Sequence, residues 1–171
     1  MNFLELAKRR FSVRHYEAKK VEEDKLLQIL EAGRVAPTAA NYQPQRIIVV
    51  RSDAGLAKLK KSANIYDAPL GVIVCADRNE AWKRPFDGKD MVDIDASIVT
   101  VHMMMEATEL GLGTVWICYF KPDVLKNEFN IPNNTEPVNI LAIGYPKGEI
   151  APSDRHNLRK PLKETVFYES F

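Results

Sequence analysis

Residues 70–76 read Leu-Gly-Val-Ile-Val-Cys-Ala, a near-continuous apolar run. A strand with no polar face cannot sit at a wet edge, so the stretch is expected as the buried centre of a sheet. The β-branched residues Ile47 to Val50 mark a second strand over Arg46–Arg51. Thr114–Cys118 and Asn139–Gly144 supply two more, the last stopped by Gly144-Tyr145-Pro146. Between them lie helical periodicities. A short helix is expected over Asn2–Arg10, with Phe3, Leu4 and Ala7 on one face. Glu22–Val35 places Leu26, Leu27, Leu30 and Val35 on one face and acids in its first turn. Asp53–Ser62 can be capped by Ser52 or Asp53, and Pro122–Phe129 is a further short helix.

The longest helix runs over about Met91–Leu110. Ile94, Ile98, Val101, Met105 and Thr108 form a stripe, and Met103, Met104 and Ala107 add apolar surface beside it. A helix apolar on more than one face is central or lies at a subunit contact. His102, among these residues, is read as a core or interface histidine, since no acid or nucleophile stands at a partner spacing.

With 171 residues, the expectation is a single domain over 1–171 with a sizeable core. The formal net charge of +1 gives no global field for nucleic acid or a membrane surface. No apolar run reaches transmembrane length, and the N-terminus lacks the pattern of a secretory signal. Cys75 and Cys118 both sit in apolar runs and are expected as buried free thiols of a cytoplasmic protein. His15, His102 and His156 are scattered, so no zinc spacing is present and no metal site is expected.

Positive charge is local: Lys8, Arg9, Arg10 and Arg14 near the start, Arg155, Arg159 and Lys160 near the end. In Arg10-Phe11-Ser12-Val13-Arg14 a period of two takes over from the helix, so Arg10, Ser12 and Arg14 share one side. Two guanidiniums and a hydroxyl on one side suit a phosphate; a solvated basic edge is the other reading. Ala36-Pro37-Thr38-Ala39-Ala40-Asn41-Tyr42-Gln43-Pro44 joins a helix to a strand, with prolines at both ends, small residues within and two amides. It suits a planar, hydrogen-bonding ring; an ordinary connection is the alternative. Gly111-Leu112-Gly113 can stop a helix or bring backbone N–H groups close to a ligand. It lacks a third glycine and follows a helix, which excludes a dinucleotide fingerprint. Asp77–Gly88 is a polar loop long enough to be a lid or binding loop. The end of the chain carries Phe167, Tyr168 and Phe171, aromatics that should dock on this domain or on another subunit.

Three of these segments, in this order, resemble the motifs of FMN-dependent nitroreductases. Arg10-Phe11-Ser12-Val13-Arg14 is similar to that family's Arg-x-Ser-x-Arg/Lys motif, and residues 36–44 to its Ala-Pro-Ser/Thr-x-x-Asn-x-Gln-Pro loop. Gly111-Leu112-Gly113-Thr114-Val115-Trp116-Ile117 is similar to its Gly-Leu-Gly-Thr/Ser-x-Trp-Ile segment. The similarity spans essentially the whole chain and points to the compact members. It departs from the family's usual glycine at Cys118.

The resemblance implies an α+β, three-layer α-β-α fold around a mixed, mostly antiparallel sheet. It implies a homodimer with FMN at the subunit interface and a C-terminal arm, about 147–171, extending onto the partner. It assigns the phosphate and ribityl chain to Arg10, Ser12 and Arg14, with Phe11 between them counted in the site and Arg159 or Lys160 joining. Pro37, Thr38, Ala39 and Asn41 would line the isoalloxazine ring, from the other subunit, and Leu112, Gly113 and Thr114 would approach it through backbone groups. No catalytic side chain is implied, because the flavin carries the chemistry. The implied activity is ping-pong hydride transfer from NADH or NADPH through flavin N5 to a nitroaromatic, quinone or similar acceptor. A flavin-storage protein without turnover, or a relative with other flavin chemistry such as reductive dehalogenation, are the alternatives.

Overall fold

The apolar run lies within strand β2 (Leu70–Asp77), at the interior of a four-stranded sheet of order β1-β2-β4-β3. The computed structural model describes residues 2–171. β1 (Gln45–Val50), β3 (Gly113–Ile117) and β4 (Thr135–Gly144) complete the sheet, and every neighbouring pair is antiparallel. The mixed character expected of the sheet reduces to one parallel bridge, Ser12 to Thr114. β4 starts four residues earlier than its apolar stretch suggests. Pro137, which has no N–H to give, pairs with Cys75, next to a register shift after Val74.

Both faces of the sheet are covered, which is why β2 has no polar face. Leu70, Val72, Val74 and Ala76 point into one core with α2 (Glu23–Arg34) and α4 (Val92–Glu109). Ile73 and Cys75 point into the other with α3 (Asp53–Ser62) and α5 (Pro122–Phe129). Ile73, Ile140, Leu141 and Ile143 are fully buried, and each such side chain stabilises the fold by roughly 1.5–3 kcal/mol. The short α1 (Phe3–Arg9), capped by Asn2 Oδ1 at 2.9 Å from the Glu5 nitrogen, buries no residue and contacts α4.

The helix faces differ from those the periodicity suggests. In α4 the core stripe is Val92, Ala96, Val99, Met103 and Ala107, so Met103 and Ala107 belong to it. Ile94 and Val101 are 46% and 38% exposed. In α2 the buried residues are Leu26, Ile29 and Gly33, while Leu27 and Val35 are exposed. Gly33 is fixed by this packing, since a Cβ there would lie 2.8 Å from Met103 Cγ. Among the described residues, Ile94 and Val101 of α4, Leu27 of α2 and its C-cap Val35 are thus apolar side chains left exposed outside the core.

Only one of the two cysteines is buried as expected. Cys75 is buried, which pushes its thiol up to about 12, but Cys118 lies past the end of β3 and is exposed, its sulfur accepting the Trp116 indole N–H at 3.1 Å. Both are free thiols. The loop after β2 is ordered by its own backbone hydrogen bonds. Trp82 O accepts from Met91 N, Lys89 O from Arg84 N, and Arg84 O from Gly88 N, so residues 82–91 fold back as a hairpin-like excursion.

After β4 the chain stays on its own domain at first. Lys147 N donates to His15 O at 3.0 Å, and a 3-10 turn at Asp154–His156 brings a His156 ring nitrogen to 3.0 Å from Lys8 O. Beyond it, Leu158, Leu162, Phe167, Tyr168 and Phe171 are exposed, with Phe167 and Phe171 in contact at 4.8 Å between ring centroids.

Candidate functional site

The extended segment after α1 is held against β3. Val13 N donates to Thr114 O at 2.9 Å, and the Val13 side chain is buried. Gly113 makes this approach possible: a Cβ there would sit 2.7 Å from Val13 Cγ2. The period-2 reading holds through Arg14 and then breaks, because Tyr16 turns inward and its hydroxyl donates to Val13 O at 2.7 Å. Ser12 and Arg14 are exposed and Arg10 half-buried.

Arg10, Ser12 and Arg14 meet the returning tail. Together with Arg155, His156 and Arg159 they line one cleft of about 210 Å³. Arg159 anchors itself by donating to Arg155 O and Leu158 O. Phe11 packs edge-on to the His156 ring, 6.2 Å between centroids. Arg14 lies 5.7 Å over the Tyr66 ring. Burial, with the like charge of Arg159 beside it, pulls the Arg10 guanidinium below its usual pKa. None of the ion pairs among the described residues uses Arg10, Arg14, Arg155 or Arg159. Four guanidiniums converging without a carboxylate make a site for an anion with several oxygens. Of the two candidates in the tail, Arg159 reaches the cleft, and Lys160 is exposed outside its lining.

Arg10 and Phe11 also line a second cleft of about 210 Å³, whose other wall is Leu112, Gly113 and Thr114. Gly111, at φ +77°, ends the turn after α4 and delivers this wall. The Thr114 hydroxyl is buried there without a partner. The two clefts share Arg10 and Phe11, so the arginine site and the Leu112–Thr114 wall adjoin.

Pro37, Thr38, Ala39 and Asn41 line neither cleft. They form a separate turn with a 3-10 core at Ala39–Asn41, its outer side exposed. Its Ala39 N–H is held by Asp95 Oδ1 at 2.8 Å. Arg155 and His156 were visible only as local charge and a stray histidine, because a turn within an aperiodic tail places them. Tyr66 and Asp95 carried no signal beyond an acid among apolar helix neighbours.

The Nitroreductase family profile matches residues 7–65 and 56–145. The crystal structure of a nitroreductase family protein from Clostridium difficile 630 superposes over all of both chains, with a TM-score of 0.95 and 54% identity. An FMN-dependent nitroreductase from C. difficile R20291 superposes with a TM-score of 0.79 and 26% identity, over 99% of this chain and 100% of that one. An FMN reductase [NAD(P)H] from Bacillus subtilis is 30% identical over 84% of this chain and 66% of its own length.

Proposed function

The chain belongs to the nitroreductase family, and on that premise we propose that it is an NAD(P)H-dependent FMN oxidoreductase that works as a homodimer. The observation that carries this reading is the cleft of four arginines with no carboxylate partner. It offers the charge and geometry that a flavin phosphate needs. Arg10, Arg14 and Arg159 would hold the phosphate, with Ser12 as hydroxyl donor and Phe11 as the wall against the tail. Leu112, Gly113 and Thr114 would border the ring side through their backbone groups.

The second half of the site would come from another copy of the chain. The turn at 37–41 lies outside both clefts, so in one chain it cannot complete them. The exposed Leu27, Val35, Ile94 and Val101 and the aromatic tail supply apolar surface for such a contact. Pro37, Thr38, Ala39 and Asn41 of the second copy would then support the ring.

Bound FMN supplies hydride acceptance from NADH or NADPH and delivery to an acceptor in turn, hence ping-pong kinetics. The chain's own residues anchor the phosphate, neutralise its charge and fix the plane in which donor and acceptor must stack. A nitroaromatic or quinone is the proposed acceptor class.

Anaerobic titration of the FMN-loaded protein with NADH and with NADPH tests this. The yellow colour should bleach with at least one donor and return on adding a quinone, and initial rates should give parallel double-reciprocal lines. A protein that takes up no added FMN, or whose flavin stays oxidised with both donors, contradicts the proposal; the second result points to storage without turnover.

A further inference from the structure

Asp95, in the first turn of α4, is 1% exposed. Its Oδ1 accepts the Ala39 N–H at 2.8 Å, and its Oδ2 is buried with no partner. Among the described residues, every other hydrogen bond made by residues 37–43 closes within the turn. Asn41 N donates to Thr38 O, Tyr42 N to Ala39 O, and Gln43 N to Thr38 Oγ1, while Gln43 Nε2 donates to Asn41 O. The Asp95–Ala39 bond is therefore the one that ties this turn to the body of the domain.

The turn needs such a tie. Ala40, Asn41 and Gln43 have φ of 49°, 59° and 52°, a left-handed conformation unfavourable for residues other than glycine. Pro37, Ala40, Asn41, Tyr42 and Gln43 are all exposed, so packing within the chain does not enforce it. A carboxylate buried with an empty acceptor is itself costly to fold around.

We infer that Asp95 is a positioning residue: it clamps the Ala39 amide and holds the 37–43 turn in the shape that receives the flavin ring. The inference rests on the turn being the ring support proposed above. Asp95 acts through the turn, and its bond reaches the ring only by way of the backbone.

Three variants test it. Asp95→Ala removes the acceptor. Asp95→Asn keeps a carbonyl that can accept from Ala39. Ala39→Pro removes the donor without touching α4, and Thr38 already has the extended backbone that a residue before proline adopts (φ −130°, ψ 160°). Hydrogen exchange of the 37–43 segment in the FMN-free protein should quicken about tenfold or more in Asp95→Ala and Ala39→Pro. FMN affinity should fall about ten- to hundredfold in both, with a changed visible circular dichroism of the bound flavin. Asp95→Asn should restore exchange, affinity and spectrum to near the parent's. If Asp95→Ala fails to fold, Ala39→Pro decides alone. Unchanged exchange in the folded variants overturns the clamp. Quickened exchange with unaltered FMN affinity and dichroism overturns its positioning role. A parent protein that takes up no FMN overturns the flavin reading instead, and the exchange data still decide whether Asp95 holds the turn.

Discussion

Replacing both Arg10 and Arg14 by alanine should leave a folded chain that no longer retains FMN. Neither guanidinium has a carboxylate partner, so removing it orphans no buried charge. Arg10 is held half-buried beside the like charge of Arg159, and its loss relieves that repulsion. Thermal stability of the flavin-free chain should therefore hold or rise slightly. A hydrogen bond to a charged group contributes roughly 1.5–3 kcal/mol, so two lost anchors should weaken FMN binding by about 10²- to 10⁴-fold. Riboflavin, which lacks the phosphate, should bind the parent and the double variant alike. Fluorescence titration with both flavins checks this. Equal losses for FMN and riboflavin would place the arginines at the ring, and no loss for either would remove them from the site.

Ending the chain after Pro161 should break the proposed dimer. The truncation removes Leu162, Val166, Phe167, Tyr168 and Phe171, all exposed on the single chain. A tail that touches no second copy contributes almost nothing there beyond the Phe167–Phe171 contact. Seated on a partner, each large apolar side chain would gain roughly 1.5–3 kcal/mol, less the cost of ordering it. The expected result is a dimer dissociation constant raised by at least about 10²-fold, with a melting temperature that falls and becomes strongly concentration-dependent. Sedimentation equilibrium with a parallel melt measures both. A truncated chain of unchanged mass and stability shows that the tail holds no partner.

The element order was legible in the sequence because each element has a local cause. The apolar run of β2, the Ser52 cap of α3 and Pro122 at the start of α5 are readable from a few residues. Which face of a helix enters the core was not. α4 is apolar on more than one side and α2 places Leu27 next to its core residue Leu26, and periodicity cannot say which side chains the sheet takes. Leu27, Val35, Ile94 and Val101 look like core residues and are exposed. The arginine cleft was partly legible for a local reason: Arg10, Ser12 and Arg14 share a side because the backbone there is extended. Arg155 and His156 reach it through a turn in a tail with no period, and Asp95 meets Ala39 across 56 residues of sequence. Contacts of that kind leave no pattern in a single sequence.

The proposed flavin site is built from two chains: the arginine cleft of one and the 37–41 turn of the other. Mixed dimers decide whether it is. One chain carries Arg10→Ala with Arg14→Ala; the other carries Asn41→Trp, a bulky change at an exposed position of the turn. Each variant alone should retain little FMN at either site of its homodimer. In a mixed dimer isolated with two different tags, both lesions fall in one site and the other site is intact. Bound FMN per mixed dimer should be about one. A mixed dimer that holds no more FMN than its two parent homodimers would contradict it.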